Sequence, residues 1–251
     1  MFDRSLIRKV NQLVKTCTWG VFCEQILQHL GISKITHNQL PPQKSPILLI
    51  SNHNSILDSL ILGKLIDRKD YFFVALAAYS LLGPKIATQA IPIYRKLRLN
   101  HLIFEYPLSI ISKRSINWLD TATIRAKNRA SIAMAAEKLS EGGLVSIFPT
   151  GGVGKKLVGS HWKPGVGYMI KQISNPEVNV VFCTISGTQS NDILLFFHPV
   201  FRKITRKNQV LPSVHFSPPV KLSKLVDTST SAKQIACELE ACYQKYALSH
   251  L

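Results

Sequence analysis

The chain has 251 residues, of which 46% are hydrophobic, and this composition excludes an intrinsically disordered protein. Lysine and arginine outnumber aspartate and glutamate 31 to 14, a formal charge of +17, which points to an anionic partner such as a lipid surface, a nucleic acid or a polyanionic substrate. No run reaches the roughly 18 consecutive apolar residues of a membrane-spanning helix, and the five scattered cysteines lack zinc-type spacing, so we expect neither a spanning helix nor a metal site.

Residues 1–40 begin with two predicted amphipathic helices. Their apolar residues recur at helical spacing, and the remaining surface of the first helix carries Arg4, Arg8, Lys9 and Lys15. An apolar stripe flanked by cations suits a membrane interface, but the same pattern also belongs to a helix that covers the protein's own sheet. Both interpretations are open at this point. We expect residues 1–40 to be a helical membrane-docking segment and residues 41–251 to form one α/β domain.

From residue 41 onward, strand-like apolar runs alternate with helical segments. Seven strands are predicted, at 46–51, 71–77, 90–94, 144–148, 179–186, 193–198 and 212–216. Four helices are predicted, at 55–66, about 119–139, 165–174 and 229–247. This alternation indicates an α/β fold with a central, mixed and mainly parallel sheet of about seven strands flanked by helices.

A histidine and an aspartate follow the first predicted strand, in the sequence Asn-His-Asn-Ser-Ile-Leu-Asp that runs from Asn52 to Asp58. Residues five apart on one straight helix point about 140° away from each other, so His53 must precede the helix if Asp58 is to reach it. Such a pair suits general-base chemistry. Ser55 and Asp58 also fit a helix-capping box, and the local sequence leaves both interpretations open.

A glycine-rich turn follows the strand at 144–148. A nucleotide-binding Walker loop is rejected here, because Lys156 stands where that loop needs a serine or threonine for Mg²⁺ and because no helix start follows. Exposed backbone N–H groups beside Lys155 and Lys163 suit a phosphate or a developing oxyanion. A loop that needs glycine only for its geometry is the alternative.

Two basic regions, 95–117 and 202–207, stand out along the chain. The first mixes its cations with many large aliphatic residues and few aromatic ones. That mixture is typical of a lipid surface rather than of a nucleic-acid site, which usually carries stacking aromatics. A solvated charged face is the alternative for both regions.

These segments occur in the order expected of one enzyme family. The Asn-His-x4-Asp string that contains His53 and Asp58 resembles the first block of the glycerolipid acyltransferases, the group containing 1-acylglycerol-3-phosphate acyltransferase. Residues 90–95 are similar to the second block, which ends in an arginine, and residues 148–151 to the third block, Phe-Pro-Glu-Gly-Thr-Arg. Further matches are the Lys-x-Gly at Lys163-Pro164-Gly165 and a strand-like fourth block at 180–185. The resemblance spans about residues 45–220, and the two N-terminal helices look like the membrane-docking pair of that family.

The resemblance implies an O-acyltransferase of phospholipid synthesis. It would move a fatty acyl group from a thioester of CoA or acyl carrier protein to the hydroxyl of a lysophospholipid or glycerol-phosphate-type acceptor. His53 would be the general base, oriented by Asp58, and no cofactor or metal is expected besides the acyl donor. The substrate-binding residues would be Asn52, Arg95, Thr150, Gly151, Gly152, Lys155 and Lys163. We expect a peripheral protein on the cytoplasmic face of a membrane, with an anionic membrane surface and not nucleic acid as its partner.

One departure from the family limits this assignment. Thr150 and Val153 stand where the third block has its glutamate and arginine, residues tied in the family to holding the acceptor, commonly through its phosphate. Arg95 and the lysines 155, 156 and 163 would have to replace them. The resemblance therefore supports the catalytic pair better than it supports the identity of the acceptor. The alternative function is a catalytically inactive, lipid-binding relative of the same fold.

Overall fold

The computed structural model describes residues 3–77, 83–95, 119–154, 162–197 and 210–249. The helices in these ranges are α1 (Arg4–Leu13), α2 (Trp19–His29), α3 (Leu57–Leu65), α4 (Pro84–Ala87), α5 (Thr121–Ser140), α6 (Gly165–Ile170) and α7 (Ala232–Leu248). The strands are β1 (Thr36–His37), β2 (Ile47–Ser51), β3 (Tyr71–Leu76), β4 (Ala90–Ile93), β5 (Leu144–Ile147), β6 (Asn179–Ser186), β7 (Ser213–Phe216) and β8 (Val220–Lys221). Short 3₁₀ helices span Ser190–Phe196 and Leu222–Lys224.

The eight described strands form one mixed sheet in the order β1-β7-β6-β2-β5-β3-β4, with β8 added beside β6. Strand β2 runs parallel to both β5 and β6, and β3 runs parallel to β5 and β4. Only β7 and β8 pair with β6 in the antiparallel sense among these strands. The predicted α/β fold with a mainly parallel mixed sheet is confirmed. The carboxyl ends of β2, β5, β3 and β4 meet at one edge of the sheet, where ligands of such folds usually bind.

The sheet separates two apolar layers, because successive side chains of a buried strand point to opposite faces. In β2, Ile47 and Leu49 pack with α1, α2 and α3, whereas Leu48 and Ile50 pack with α5, α6 and α7. All four side chains are fully buried. A continuous apolar run of this kind is typical of a central parallel strand covered on both faces.

Helices α1 and α2 belong to the first of these layers. Leu6 and Val10 of α1 are 1% exposed, and the Trp19 and Phe22 side chains of α2 are 0% exposed. The Trp19 ring stacks on Phe73 of β3, with 4.3 Å between ring centroids. The apolar stripes therefore cover the protein's own sheet, and the expectation that residues 1–40 dock to a membrane stays a prediction. No helix in the described part of the chain is both long and apolar enough to cross a membrane.

One predicted strand, 193–198, is wrong, because most of that segment lies in the 3₁₀ helix Ser190–Phe196. Asp192 accepts a hydrogen bond from the Gln189 backbone N–H at 2.7 Å and so fixes the start of this helix. A short apolar run cannot be assigned to strand or helix by its periodicity alone. The very short elements α4, β1 and β8 were not predicted, since two to four residues carry no periodic signal.

Candidate active site

His53 and Asp58 lie where β2 leads into α3. His53 occupies the connecting segment, and Asp58 lies in the first turn of the helix. His53 Nδ1 and Asp58 Oδ2 are 3.3 Å apart, at the long end of the hydrogen-bonding range. The imidazole is 17% exposed and the carboxylate is 0% exposed. The structure thus brings together the two residues that the sequence pairs.

The Asp58 carboxylate is held on both oxygens. Oδ2 accepts hydrogen bonds from the backbone N–H groups of Asn54 at 2.6 Å and Ser55 at 2.9 Å. Oδ1 accepts one from the Thr188 hydroxyl at 2.8 Å. Ser55 Oγ in turn accepts a hydrogen bond from the Leu57 N–H at 3.1 Å. The capping and pairing interpretations therefore both hold, because one carboxylate stabilises the helix start and also contacts the histidine.

The position of Asp58 determines which ring nitrogen of His53 can accept a proton. A carboxylate facing Nδ1 favours the tautomer with the proton on Nδ1, which leaves Nε2 as a proton acceptor. The ring also stacks on Phe148, with 4.1 Å between centroids and 13° between planes. A backbone bond of 2.8 Å from the Gly154 N–H to the His53 carbonyl ties the glycine-rich turn to the histidine. The neighbouring groups thus favour one tautomer and contact one face of the ring.

Asn52 has a structural role rather than the predicted substrate contact. Its side chain is buried, donates to the Ile185 carbonyl at 2.8 Å and accepts from the Ile185 N–H at 2.7 Å. Asn54 donates to the same carbonyl at 3.0 Å. The two asparagines hold the histidine segment against β6, and the amide of Asn52 is already occupied on both atoms. This assignment replaces the expected substrate-binding role of Asn52.

The glycine-rich turn offers fewer free backbone N–H groups than the sequence predicts. Gly151 adopts a φ of 66°, and its N–H closes the turn onto the Phe148 carbonyl at 3.0 Å, so this N–H is not offered to a ligand. Thr150 is 8% exposed and its hydroxyl lies 3.4 Å from the Gly152 carbonyl. Within the described residues, the Gly152 N–H makes no hydrogen bond. Lys155 and Lys156 lie outside the described residues.

A cavity of about 420 Å³ opens beside the His53–Asp58 pair. Five predicted residues line it: His53, Arg95, Gly151, Gly152 and Lys163. Thr150 is not among the lining residues, and its predicted substrate contact stays a prediction. Lys163 is exposed and Arg95 is half-buried. The described wall thus combines one imidazole and two cationic side chains with a surface that is otherwise largely apolar.

The cavity extends to both faces of the sheet. Strands β3 and β5 pair only over three residues, from the register Tyr71↔Leu144 to Phe73↔Ser146, and β3 then continues beside β4. On the α3 side the wall includes Ile56, Phe73 and Phe148, and on the α5 side it includes Ile91, Ile132, Ala135, Val166 and Met169. A space of this size and character fits a hydrocarbon chain.

Two groups of this site were not predicted as functional. Thr188 lies 130 residues from Asp58 in sequence, and nothing local in the sequence links them. Phe148 was part of the Phe-Pro motif, but its stacking on His53 depends on how β2 and β5 pair. The predicted basic regions at 95–117 and 202–207 lie outside the described residues except for Arg95. In the described ranges, no group of three or more His, Cys, Asp or Glu side chains is arranged to hold a metal ion.

One family profile and several solved structures resemble this chain. The sequence profile of a family described as Acyltransferase matches residues 33–186, from the segment before β1 to the end of β6. No curated protein sequence matches the chain significantly. Seven chains of solved structures match, among them the 1-acyl-sn-glycerophosphate (LPA) acyltransferase PlsC from Thermotoga maritima. That structure is 14% identical, with 100% of this chain and 85% of that chain covered and a TM-score of 0.45.

Proposed function

The chain belongs to the acyltransferase family, and we propose that it transfers a fatty acyl group from an acyl thioester to the hydroxyl of a glycerolipid acceptor. The observation that carries this proposal is the His53–Asp58 pair, 3.3 Å apart, beside a largely apolar cavity of about 420 Å³. A base next to a space for a hydrocarbon chain is what acyl transfer to an alcohol requires. The donor is a thioester of CoA or of acyl carrier protein.

The reaction needs a base but no nucleophilic side chain. An alcohol is a poor nucleophile, so its proton must leave as its oxygen attacks the thioester carbonyl carbon. His53 Nε2 takes that proton, and Asp58 stabilises the imidazolium that forms. The carbon–sulfur bond then breaks, and the thiolate receives the proton from His53. The products are an ester and a free thiol, and the histidine returns to its neutral form.

The turn after β5 supplies the other electrostatic contribution. Negative charge develops on the carbonyl oxygen during the attack, and a positioned N–H group stabilises it more in the transition state than in the ground state. The Gly152 N–H is the group we assign to this role. Its orientation depends on the turn that Gly151 closes onto Phe148.

Arg95 and Lys163 support an anionic acceptor. Both line the cavity with His53, and neither depends on the glutamate and arginine that Thr150 and Val153 replace. A phosphate of a lysophospholipid or a glycerol phosphate would pair with such cations. We therefore propose a step of phospholipid synthesis. The formal charge of +17 supports a peripheral site on an anionic, cytoplasmic membrane face.

Labelled acyl-CoA and acyl carrier protein, supplied with a panel of acceptors in anionic vesicles, test the proposal. The panel includes glycerol 3-phosphate, lysophosphatidic acid and lysolipids without a terminal phosphate. His53→Ala should reduce transfer by about a thousandfold. His37→Ala is the matched control, because His37 is an exposed histidine on the short edge strand β1, and it should retain full activity.

Two results would contradict the proposal. If no acceptor is acylated above the His53→Ala background while the protein still binds vesicles, the chain is an inactive lipid-binding relative. If it ignores anionic vesicles but is retained on polynucleotide in a salt-sensitive manner, its positive charge serves nucleic acid instead.

A further inference from the structure

Two buried side chains that line the apolar cavity carry hydroxyl groups. Tyr71 of β3 is 2% exposed and Ser146 of β5 is 3% exposed, and both line the cavity beside the α3 face of the sheet. Their oxygens are 2.9 Å apart and share one hydrogen bond. The proposed reaction does not use either group.

The two hydroxyls carry more hydrogens than they have acceptors. Each has one hydrogen, and a single bond between them uses only one of the two. Neither oxygen contacts another hydrogen-bonding group in the described part of the chain. One buried hydrogen is thus left without an acceptor among the described residues, on side chains that line the cavity. Leaving a buried donor unpaired is unfavourable, so a ligand that offers an oxygen atom there would be bound more tightly.

Other polar groups of the inner wall are already satisfied. Ser59 donates to the Ile56 carbonyl at 3.3 Å, and Ser131 donates to the Pro92 carbonyl at 2.5 Å. The Asn128 amide both donates to and accepts from the backbone of Tyr94. The two serine hydroxyls have no donor left for a ligand, in contrast to Tyr71 and Ser146.

The hydroxyl pair lies deeper than the reacting centre. Ser146 and Phe148 are two residues apart and face the same side, so they are about 7 Å apart along the chain direction. Phe148 is the residue that stacks on His53. A chain whose carbonyl lies beside the imidazole would therefore pass the hydroxyl pair some distance along its length, not at its thioester end.

We propose that the Tyr71–Ser146 pair recognises an oxygen substituent, a hydroxyl or an oxo group, on the acyl chain. This inference rests on the proposed function and specifies its substrate: an acyl thioester oxygenated along the chain. An unsubstituted chain would bury the spare hydrogen without an acceptor. We expect the wild-type protein to prefer the oxygenated chain by about 10- to 100-fold in kcat/KM, the effect of leaving one buried donor unpaired.

Matched acyl thioesters that differ only in a hydroxyl test this inference. The hydroxyl is placed near the thioester, at mid-chain or near the methyl end, and an unsubstituted chain is the reference. The double variant Tyr71→Phe with Ser146→Ala removes both hydroxyls and should abolish the preference, while transfer of the unsubstituted chain is retained or increased. The control is Ser131→Ala, which removes a wall hydroxyl that is already bonded and should leave the preference unchanged.

Direct binding separates this inference from the proposed reaction. The same thioesters are titrated calorimetrically into the His53→Ala protein, which should bind them without turnover, and thermal unfolding checks that each variant is folded. Tighter binding of the mid-chain hydroxyl, lost in the double variant, supports the inference even if no acceptor is acylated. Equal binding of oxygenated and plain chains overturns it even if transfer is fast. Absence of both binding and transfer overturns both proposals.

Discussion

Thr188 donates a hydrogen bond of 2.8 Å from its Oγ1 to Asp58 Oδ1, across 130 residues of sequence. The other carboxylate oxygen, Oδ2, already faces His53 and two backbone N–H groups. Thr188 is therefore the one described side chain that fixes the far side of the carboxylate, and it connects the loop after β6 to the start of α3. Through Asp58 it acts as a positioning residue for His53.

Replacing Thr188 with valine removes this bond while keeping the shape of the side chain. We expect kcat to fall about tenfold with little change in KM, because the imidazole is less well oriented in the transition state while the substrate contacts remain. Thr188→Ser keeps the hydroxyl and should recover most of the rate. Steady-state kinetics of both variants test this role. An equal loss of kcat in Thr188→Val and Thr188→Ser would mean that Thr188 acts only through packing.

Phe148 restrains the plane of the His53 imidazole by stacking on it, with 4.1 Å between ring centroids. Phe148→Ala should lower kcat by about tenfold or more, since the ring of His53 then samples unproductive orientations. Phe148→Tyr retains an aromatic face and serves as the control. An alanine variant with unchanged kcat would show that Asp58 alone is sufficient to orient the histidine.

Gly63 permits the close contact between α2 and α3. A Cβ placed on it would lie 2.5 Å from both Cys23 Sγ and Trp19 Nε1. Gly63→Ala should therefore lower the free energy of unfolding by about 1–3 kcal/mol, as overpacking of a core usually does. Gly165→Ala is the control, because the new Cβ would meet only Ile132 Cδ1, at 3.8 Å. Urea denaturation measures both, and an unaffected Gly63→Ala would mean that α2 separates easily from the rest of the fold.

Arg68 and Asp70 form an ion pair whose contribution to stability should depend on pH. The buried Arg68 guanidinium donates two hydrogen bonds to Asp70, at 2.9 and 2.6 Å, and these bonds lower the pKa of the Asp70 carboxyl below its ordinary value. A lowered pKa in the folded state contributes stability above the unfolded pKa of about 3.9, and the contribution disappears as pH falls through the folded value.

Asp70→Asn should therefore be less stable than the wild-type protein at neutral pH, by a modest amount because Asp70 is half exposed. The difference should vanish in acid. Thermal unfolding across this pH range measures it. Asp67→Asn, which changes an exposed aspartate of the same loop, is the control for the amide substitution itself. A difference that persists at low pH would assign the loss to the asparagine itself.

The sequence predicted those parts of the fold whose cause is local. Strands β2, β5 and β6 are short, continuous apolar runs, and burial on both faces makes them easy to find. The His53–Asp58 pair was predicted because both residues lie in one seven-residue segment. The strand predicted at 193–198 is wrong for the opposite reason. Asp192 and Gln189, and not the apolar residues of the segment, determine its conformation.

Features that depend on tertiary packing could not be predicted from short segments of the sequence. Whether the stripes of α1 and α2 face lipid or sheet is settled by Trp19 and Phe73, which lie 54 positions apart and stack at 4.3 Å. The role of Asn52 depends on Ile185 of β6, and that of Thr188 on a loop distant from Asp58. Only the pairing of β2 with β6 brings these residues into reach of each other.

Strand β3 separates from β5 beyond Phe73, and the cavity beside them constrains which substitutions the protein can accept. Because the cavity is bounded by both apolar layers, residues that line it, such as Phe73 and Met169, are also residues of the packed interior. Enlarging the space for a longer substrate removes interior contacts, and a well-fitting chain restores them. Substrate length and thermal resistance are therefore expected to vary together, with the bound chain completing the interior of the protein.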